Sequence, residues 1–213
     1  MKITKFGQCC LLVEIDGKRI LTDPGKYTVE QNSVSDIDLI LITHEHADHL
    51  HTESLLKILE NNPTAKIVTN NSVAKILEKL SINCDVIEGR SVGEVCSISL
   101  IAYDGKHEEI FGDFGMVQNT GYLIAGKLFY PGDSFTKPEE TVEVLALPVA
   151  GTWCRSVDAI TYALEVKPNK AFPVHDRFLN DDGIALFYGL FTKHLEVNNI
   201  GFTPLKNGET GEF

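Results

Sequence analysis

The sequence has few of the features that mark membrane-spanning, secreted or nucleic-acid-binding proteins. No stretch approaches the ~20 apolar residues that are needed to cross a bilayer, and the opening MKITKF lacks the apolar core of a secretory signal. Basic residues are scarce, since 19 lysines and arginines stand against 30 acidic residues and the net charge is −11. An acidic surface repels phosphate backbones and anionic lipids. Nucleic acids and membranes are therefore not the expected partners.

Cysteine is also scarce, and its spacing excludes two common roles. The chain has five cysteines, an odd number, and no Cys-x-x-Cys pair occurs. They are Cys9, Cys10, Cys84, Cys96 and Cys154. This pattern fits neither a disulfide framework nor a thiolate zinc site. A reducing cytoplasm is the expected compartment.

The organisation of the chain indicates one layered domain. There is no low-complexity tract, charge block or linker, so we expect a single domain over residues 1–213. Strand patterns occupy 2–6, 9–15, 18–22, 38–43, 66–69, 84–88, 142–149 and 170–174, and several more lie between 94 and 130. Helical patterns begin after Thr52, the expected N-cap, and cover 72–80, 157–166 and 184–195. Strands and helices that alternate around a strand-rich centre predict an α/β fold.

Four of the seven histidines lie in LITHEHADHLH, from Leu41 to His51. His44 and His46 stand two apart at the end of an apolar run that predicts a strand buried on both faces. Asp48 and His49 follow before the next helix. Neutral imidazole suits zinc and other first-row metals, and a carboxylate compensates their charge. A solvated polar loop is the alternative, but four ligand-type residues at this spacing favour a metal site.

Three distant residues occupy the same kind of position as this cluster. His107 in YDGKH, Asp133 in LFYPGDS and His175 in AFPVH each stand where a strand pattern runs into a loop. Ligands at the ends of several strands can meet at one edge of a layered fold. The two remaining histidines, His51 and His194, have no such position, and we assign them to the surface or to helix ends.

Taken together, these motifs resemble the metallo-β-lactamase superfamily. HEHADH, the later His107, PGDS and PVH occur in the order of that superfamily, and the match covers nearly the whole chain. The resemblance implies a four-layer αββα sandwich with two metal ions at one edge of its sheets. It implies His44, His46 and His107 as ligands of the first metal, Asp48, His49 and His175 as ligands of the second, and Asp133 as the bridge.

A closer resemblance is to compact single-domain hydrolases of the L-ascorbate-6-phosphate lactonase-like branch. The shared segments are KITKFGQCCLLVEIDGKRILTDPG, PVAGTW and KAFPVHD. The chain departs from those relatives at Gln8, where they tend to carry a histidine. It also has no cysteine at a ligand position, unlike the true β-lactamases that use a thiolate.

The expected function is hydrolysis of a lactone, ester or phosphodiester bond in a small molecule, anionic or neutral, by a hydroxide that two divalent cations hold. Zinc is the expected metal, with manganese or iron(II) as alternatives. Asp48 is expected to orient the hydroxide as well as to bind a metal. Three other functions remain open: a nuclease, a non-catalytic metal sensor, and a di-iron oxygen-reducing enzyme, which would need an electron-carrier domain.

For residues around the metals the sequence allows more than one interpretation. Asp23 and Thr43 are candidates for orienting the imidazoles, although a turn and a strand end would also explain them. Substrate contact is open for Gln118, Asn119, Trp153, Arg155 and Arg177. A core anchor is the alternative for Trp153, and a surface charge is the alternative for Arg155. The apolar segment GLFTKHL, residues 189–195, is a candidate face for a homo-oligomer.

Overall fold

Two mixed seven-stranded sheets form the centre of the protein, in a computed structural model that describes residues 1–213. The first sheet has the order β14 (Thr210–Glu212), β1 (Lys2–Gly7), β2 (Cys10–Ile15), β3 (Lys18–Thr22), β4 (Leu39–Leu41), β5 (Lys66–Thr69) and β6 (Asp85–Val86). The second has the order β13 (Gly201–Phe202), β12 (Lys170–Val174), β11 (Val144–Pro148), β10 (Leu128–Tyr130), β9 (Gln118–Ile124), β8 (Ile98–Lys106) and β7 (Val92–Val95). The helices are α1 (Thr52–Asn61), α2 (Asn71–Lys79), α3 (Ser156–Val166) and α4 (Asp181–Glu196).

Three apolar layers hold these elements together. The central layer joins the two sheets and contains residues such as Leu41 and Phe172. One outer layer packs α1 and α2 on the first sheet, and the other packs α3 and α4 on the second. Leu39 and Leu41 face the central layer while Ile40 faces the helices, which explains the unbroken apolar run of β4. The predicted αββα sandwich is confirmed.

The direction of the strands brings several loops to one edge. In the first sheet β3, β4 and β5 are parallel, so their carboxyl ends lie side by side. In the second sheet β10, β11 and β12 are parallel, and β8 runs the same way because β9 is antiparallel to both β8 and β10. His107, Asp133 and His175 follow β8, β10 and β12, and the histidine cluster follows β4. All four loops therefore lie at carboxyl ends of strands.

The first strand is bound to late parts of the chain. β1 pairs with β14, with Lys2 opposite Glu212. The fully buried Lys5 Nζ lies 2.6 Å from Asp176 Oδ2 and donates to the carbonyl of Leu205 at 3.3 Å. Burial lowers the pKa of Lys5, and Asp176 opposes that shift. This ion pair anchors the residue next to His175.

The ends of several elements differ from the prediction. Thr52 is wrong as the N-cap of α1, because His51 occupies the cap position and Thr52 is the first helical residue. The other three helices also start earlier than predicted, and two of them have asparagine caps: Asn70 accepts from Val73 N before α2, and Asn180 accepts from Gly183 N before α4. A polar cap lies outside the apolar periodicity, so the pattern alone places these starts too late.

The segment 189–195 does not form an exposed apolar face. Phe191 and Leu195 are fully buried against the second sheet, and Gly189, Lys193 and His194 are the exposed residues. The structure therefore gives this segment a role in the core, and it leaves the oligomeric state open. None of the four helices has the length and apolar character that crossing a membrane requires.

Candidate metal centre

The structure brings all seven predicted ligand residues together at the shared edge of the sheets. They form two adjacent groups, and within each group the potential ligand atoms lie within 4.8 Å of one another. One group is His44, His46 and His107, and the other is Asp48, His49, Asp133 and His175. The topology of the two sheets brings these residues together, because their loops follow the carboxyl ends of four strands.

Asp133 connects the two groups. Its Oδ2 lies 3.2 Å from Nε2 of His107 and 2.9 Å from Nε2 of His175. Its Oδ1 lies 3.1 Å from Nε2 of His49. A single carboxylate therefore contacts histidines of both groups, which is the arrangement that a bridging ligand needs.

Buried lone pairs in the centre have no partner from the protein. Nε2 of His44, Nε2 of His49 and Oδ1 of Asp133 are buried and accept no hydrogen bond. Leaving such a group unsatisfied costs roughly 1–3 kcal/mol, so each one needs an explanation. Divalent cations would satisfy all three at once. Because the donors are nitrogen and oxygen only, they fit zinc, manganese or iron(II).

Hydrogen bonds at Nδ1 turn the imidazoles so that Nε2 faces the centre. Four of the five histidines have such a bond: His44 with Thr43 Oγ1 at 3.0 Å, His49 with Asp23 Oδ2 at 2.7 Å, His107 with the Glu108 carbonyl at 2.6 Å, and His175 with the Ala150 carbonyl at 2.6 Å. A carboxylate or carbonyl acceptor fixes the proton on Nδ1 and leaves Nε2 free for a metal. Asp23 and Thr43 thus both contact ligand histidines.

The electrostatics of the centre favour cations. Burial lowers the pKa of His44 well below its ordinary value, so its ring is neutral, the form that binds metals. Burial opposes a charge on Asp133, but His175 and His49 hold the pKa of its carboxyl well below its usual range. Burial acts against protonation of His49 and His175, yet the Asp133 carboxylate raises the pKa of both. Bound cations would take the place of those protons.

Gln8, which the sequence marked only as a departure from the lactonase-like relatives, lies beside the candidate ligands. Its side chain is buried, and its Nε2 donates to Asp48 Oδ2 at 3.0 Å. Its Oε1 accepts from the backbone N–H of Arg177 at 3.2 Å, and its carbonyl accepts from that of His175 at 3.0 Å. One residue therefore joins two ligands of the second group. These partners lie 40 and more residues away along the chain, and no local pattern indicates them.

Replacing Gln8 with methionine tests this link. The variant keeps the side-chain length but loses the hydrogen bond to Asp48. We expect the affinity for the more weakly bound metal to fall on the order of tenfold, the lower end of what partners of ligand residues contribute. Metal titration followed by calorimetry measures the change. Asn62→Leu is the control, because this buried amide makes three hydrogen bonds near α1 and none to a ligand residue. Equal affinities in both variants would contradict the link.

Two glycines permit the loops to approach closely. A Cβ at Gly25 would lie 1.8 Å from the backbone oxygen of Asp48, an impossible contact. Gly132 has a φ of +66°, and a Cβ there would lie 2.3 Å from Asn119 Oδ1. These contacts explain the glycines of DPG and PGDS in physical terms.

The five residues that were candidates for substrate contact have different surroundings. Gln118 bonds to Glu88 and Asp104, outside the centre. Asn119 accepts from the backbone N–H of Asp133 and so holds a ligand loop. Arg155 is exposed and paired with Asp158, and Arg177 is exposed. Trp153 is the candidate whose side chain contacts ligands, since its ring centroid lies 5.6 Å from that of His107 and 5.3 Å from that of His175.

A two-sheet αββα sandwich with a histidine–aspartate cluster at its edge defines a protein of the metallo-β-lactamase type. The chain belongs to the β-lactamase superfamily, because the model of the beta-lactamase superfamily domain matches residues 2–175. The resemblance inferred from the motifs is therefore confirmed at the level of the superfamily. The lactonase-like branch stays a prediction.

The chain is also similar to individual proteins and to a solved structure. The chain is 31% identical to protein Rv0786c of Mycobacterium tuberculosis over 198 residues, which cover 91% of this chain and 92% of the relative. It is 30% identical to the UPF0173 protein PF0020 of Pyrococcus furiosus over 185 residues, 82% of this chain and 83% of that one. The structure of Igni18, a metallo hydrolase from Ignicoccus hospitalis, has a TM-score of 0.77 at 20% identity and covers 100% and 98% of the two chains.

Proposed function

We propose that this protein hydrolyses a lactone, ester or phosphodiester bond of a small molecule at a pair of divalent cations. The coarser assignment, a metal-dependent hydrolase, agrees with its superfamily and with the description of Igni18 as a metallo hydrolase. The observation that supports the finer one is the pair of ligand groups that share Asp133 and contain buried lone pairs without partners.

The residues divide into two ligand sets. One cation would be held by His44, His46 and His107, and the other by Asp48, His49 and His175. Asp133 would bind both cations. Divalent cations held by these residues would lower the pKa of a bound water and would polarise the bond that is attacked. The protein supplies neutral imidazoles in fixed orientations and two carboxylates, and the carboxylates balance part of the charge.

Asp48 has a second task in this proposal. Its side chain is 20% exposed, whereas that of Asp133 is 2% exposed. Asp48 is therefore the ligand carboxylate that solvent reaches. Gln8 holds one of its oxygens from the protein side. We assign the other oxygen to accept a hydrogen bond from the attacking water and to orient it toward the substrate.

Elemental analysis and a substrate panel test the proposal. We expect the purified protein to carry close to two equivalents of zinc, manganese or iron. The panel contains phosphorylated and unphosphorylated lactones, p-nitrophenyl esters, bis-p-nitrophenyl phosphate, RNA and single-stranded DNA. Turnover of one small-molecule class with intact nucleic acids is the expected result. Cleavage of RNA or DNA would make the protein a nuclease, and full metal without any turnover would make it a sensor.

A matched pair of histidine variants tests the ligand assignment. His107→Ala removes a buried ligand of the first group, so we expect it to lose one equivalent of metal and at least ~10²-fold in rate. His194→Ala changes an exposed histidine near the end of α4 and should keep both. Metal content is measured by mass spectrometry on the folded proteins. Unchanged metal in the His107 variant would contradict its assignment.

A further inference from the structure

The indole of Trp153 carries a buried hydrogen-bond donor without a partner. The residue is 7% exposed, and its Nε1 makes no hydrogen bond to the protein. Buried donors of this kind are rare in native structures, because each costs roughly 1–3 kcal/mol when it is left unsatisfied. The donor therefore needs an acceptor that the chain itself does not provide.

The indole lies directly against the metal centre. Its ring meets the rings of His107 and His175 edge to face, with centroids 5.6 and 5.3 Å apart. These two histidines belong to different ligand groups, so Trp153 contacts both. Phe135 packs on the indole at 5.5 Å and keeps it in place.

The unpartnered group of Trp153 is a hydrogen-bond donor, whereas the unpartnered groups near it are acceptors. Nε2 of His44 and of His49 and Oδ1 of Asp133 offer lone pairs, which a cation satisfies. An indole N–H is a donor only, and no cation can satisfy it. It needs an acceptor oxygen with a negative charge or a lone pair. A molecule bound at the cations can supply that oxygen.

We propose that the indole N–H of Trp153 donates a hydrogen bond to a substrate oxygen that carries or gains negative charge during hydrolysis. The proposal rests on the hydrolytic function and makes it more specific. The substrate presents an oxyanion beside the metals, either the carbonyl oxygen of a lactone or ester or a phosphoryl oxygen. A preorganised donor at such a position stabilises the transition state more than the ground state.

Gly151 keeps a side chain away from the indole N–H. A Cβ on Gly151 would lie 3.2 Å from Nε1 of Trp153 and 3.1 Å from Cε1 of His175, which is closer than an ordinary van der Waals contact. A methyl group at this position would crowd the donor and the imidazole of His175 at once, so glycine leaves this side of the indole free of a side chain.

Trp153→Phe removes the donor and keeps an aromatic ring. We expect kcat to fall on the order of 10²-fold, the effect of deleting one oxyanion donor, with KM changed much less. Metal content and melting temperature should stay close to those of the parent protein. Tyr103→Phe is the control, because it deletes another unpartnered buried donor in the same apolar layer, where the ring packs on Phe129 and contacts no ligand histidine.

Trp153 is the only tryptophan, so its fluorescence reports on this site alone. Inorganic phosphate and acetate, which mimic the products of phosphodiester and ester hydrolysis, are titrated into the metal-loaded protein. We expect one of them to shift the tryptophan emission, and which one does so identifies the source of the oxyanion. Calorimetry should show that this anion binds at least about tenfold more weakly to the Trp153→Phe variant, the lower end of what a hydrogen bond to a charged group contributes.

The outcomes separate this proposal from the hydrolytic function. Turnover that persists in Trp153→Phe with an unchanged kcat, or equal anion affinities with no change in emission, would overturn the role of Trp153 and leave water as its partner. Failure of every substrate would count against the hydrolytic function, and the anion titration would still test the donor.

Discussion

Replacing Asp133 with alanine will remove at least one of the two metals and lower the hydrolytic rate by at least ~10³-fold. Asp133 is the carboxylate that contacts histidines of both groups, with distances of 3.2, 2.9 and 3.1 Å to His107, His175 and His49. Without it, Asp48 is the only carboxylate left beside two divalent cations. A loss of that size corresponds to about 4 kcal/mol of transition-state stabilisation.

Two further variants separate charge from shape in this experiment. Asp133→Asn keeps the side-chain volume and the hydrogen bonds of the PGDS loop, so its metal loss would be due to charge alone. Asp113→Ala is the control, because this exposed carboxylate lies in the loop that follows His107. Metal content by mass spectrometry and initial rates on the best substrate are the measurements. Two equivalents of metal and the parental rate in Asp133→Ala would refute the bridging role.

Replacing Asp23 with alanine will lower the free energy of unfolding by about 3–5 kcal/mol, the cost of leaving buried polar partners without their charge. Asp23 is fully buried. Its carboxylate accepts from the backbone N–H and hydroxyl of Thr43, from His49 Nδ1 and from the hydroxyl of Tyr130, all within 2.7 to 2.8 Å. The variant leaves the backbone N–H of Thr43 and Nδ1 of His49 without their acceptor in a buried region, whereas the Tyr130 hydroxyl can still donate to the Cys9 carbonyl at 2.7 Å.

The metal site should respond to the same change. His49 loses the acceptor that fixes its Nδ1 proton, so we expect metal affinity to fall ~10–100-fold. Asp38→Ala is the control for stability, because its half-buried carboxylate pairs with Lys18 and accepts from the Arg19 backbone, a loss of about 1 kcal/mol. Chemical denaturation of the metal-free proteins measures the difference. Equal losses at Asp23 and Asp38 would show that the buried network contributes little.

The sequence indicated the layers of the fold because buried apolar residues recur with the period of a strand or a helix. The continuous apolar run before His44 predicted a strand buried on both faces, and Ile40 and Leu41 do face opposite layers. Helix starts were placed less well, since caps are polar and have no period. Apolar content alone suggested an exposed face at 189–195, but the helical turn directs Phe191 and Leu195 into the core.

The seven candidate ligands could be identified from the sequence, because their residue types are those that bind metals and they stand where strand patterns end. The residues that position these candidate ligands could not be predicted in the same way. Asn119 and Gln8 act on residues 14 and 40 positions away, through contacts that exist only once the two sheets are stacked. The unpartnered N–H of Trp153 is likewise invisible before burial is known. The type of a side chain shows which partners it can bind, but only the tertiary structure shows whether such a partner lies within reach.

The anchoring of β1 has a consequence for biogenesis. Lys5 is held by Asp176 and by the carbonyl of Leu205, and its strand is flanked by residues 210–212. β1 thus acquires its place only when residues 176–212 are available to pair with it. We expect the cations to bind late in folding, because Asp176, which anchors this strand, stands next to the candidate ligand His175.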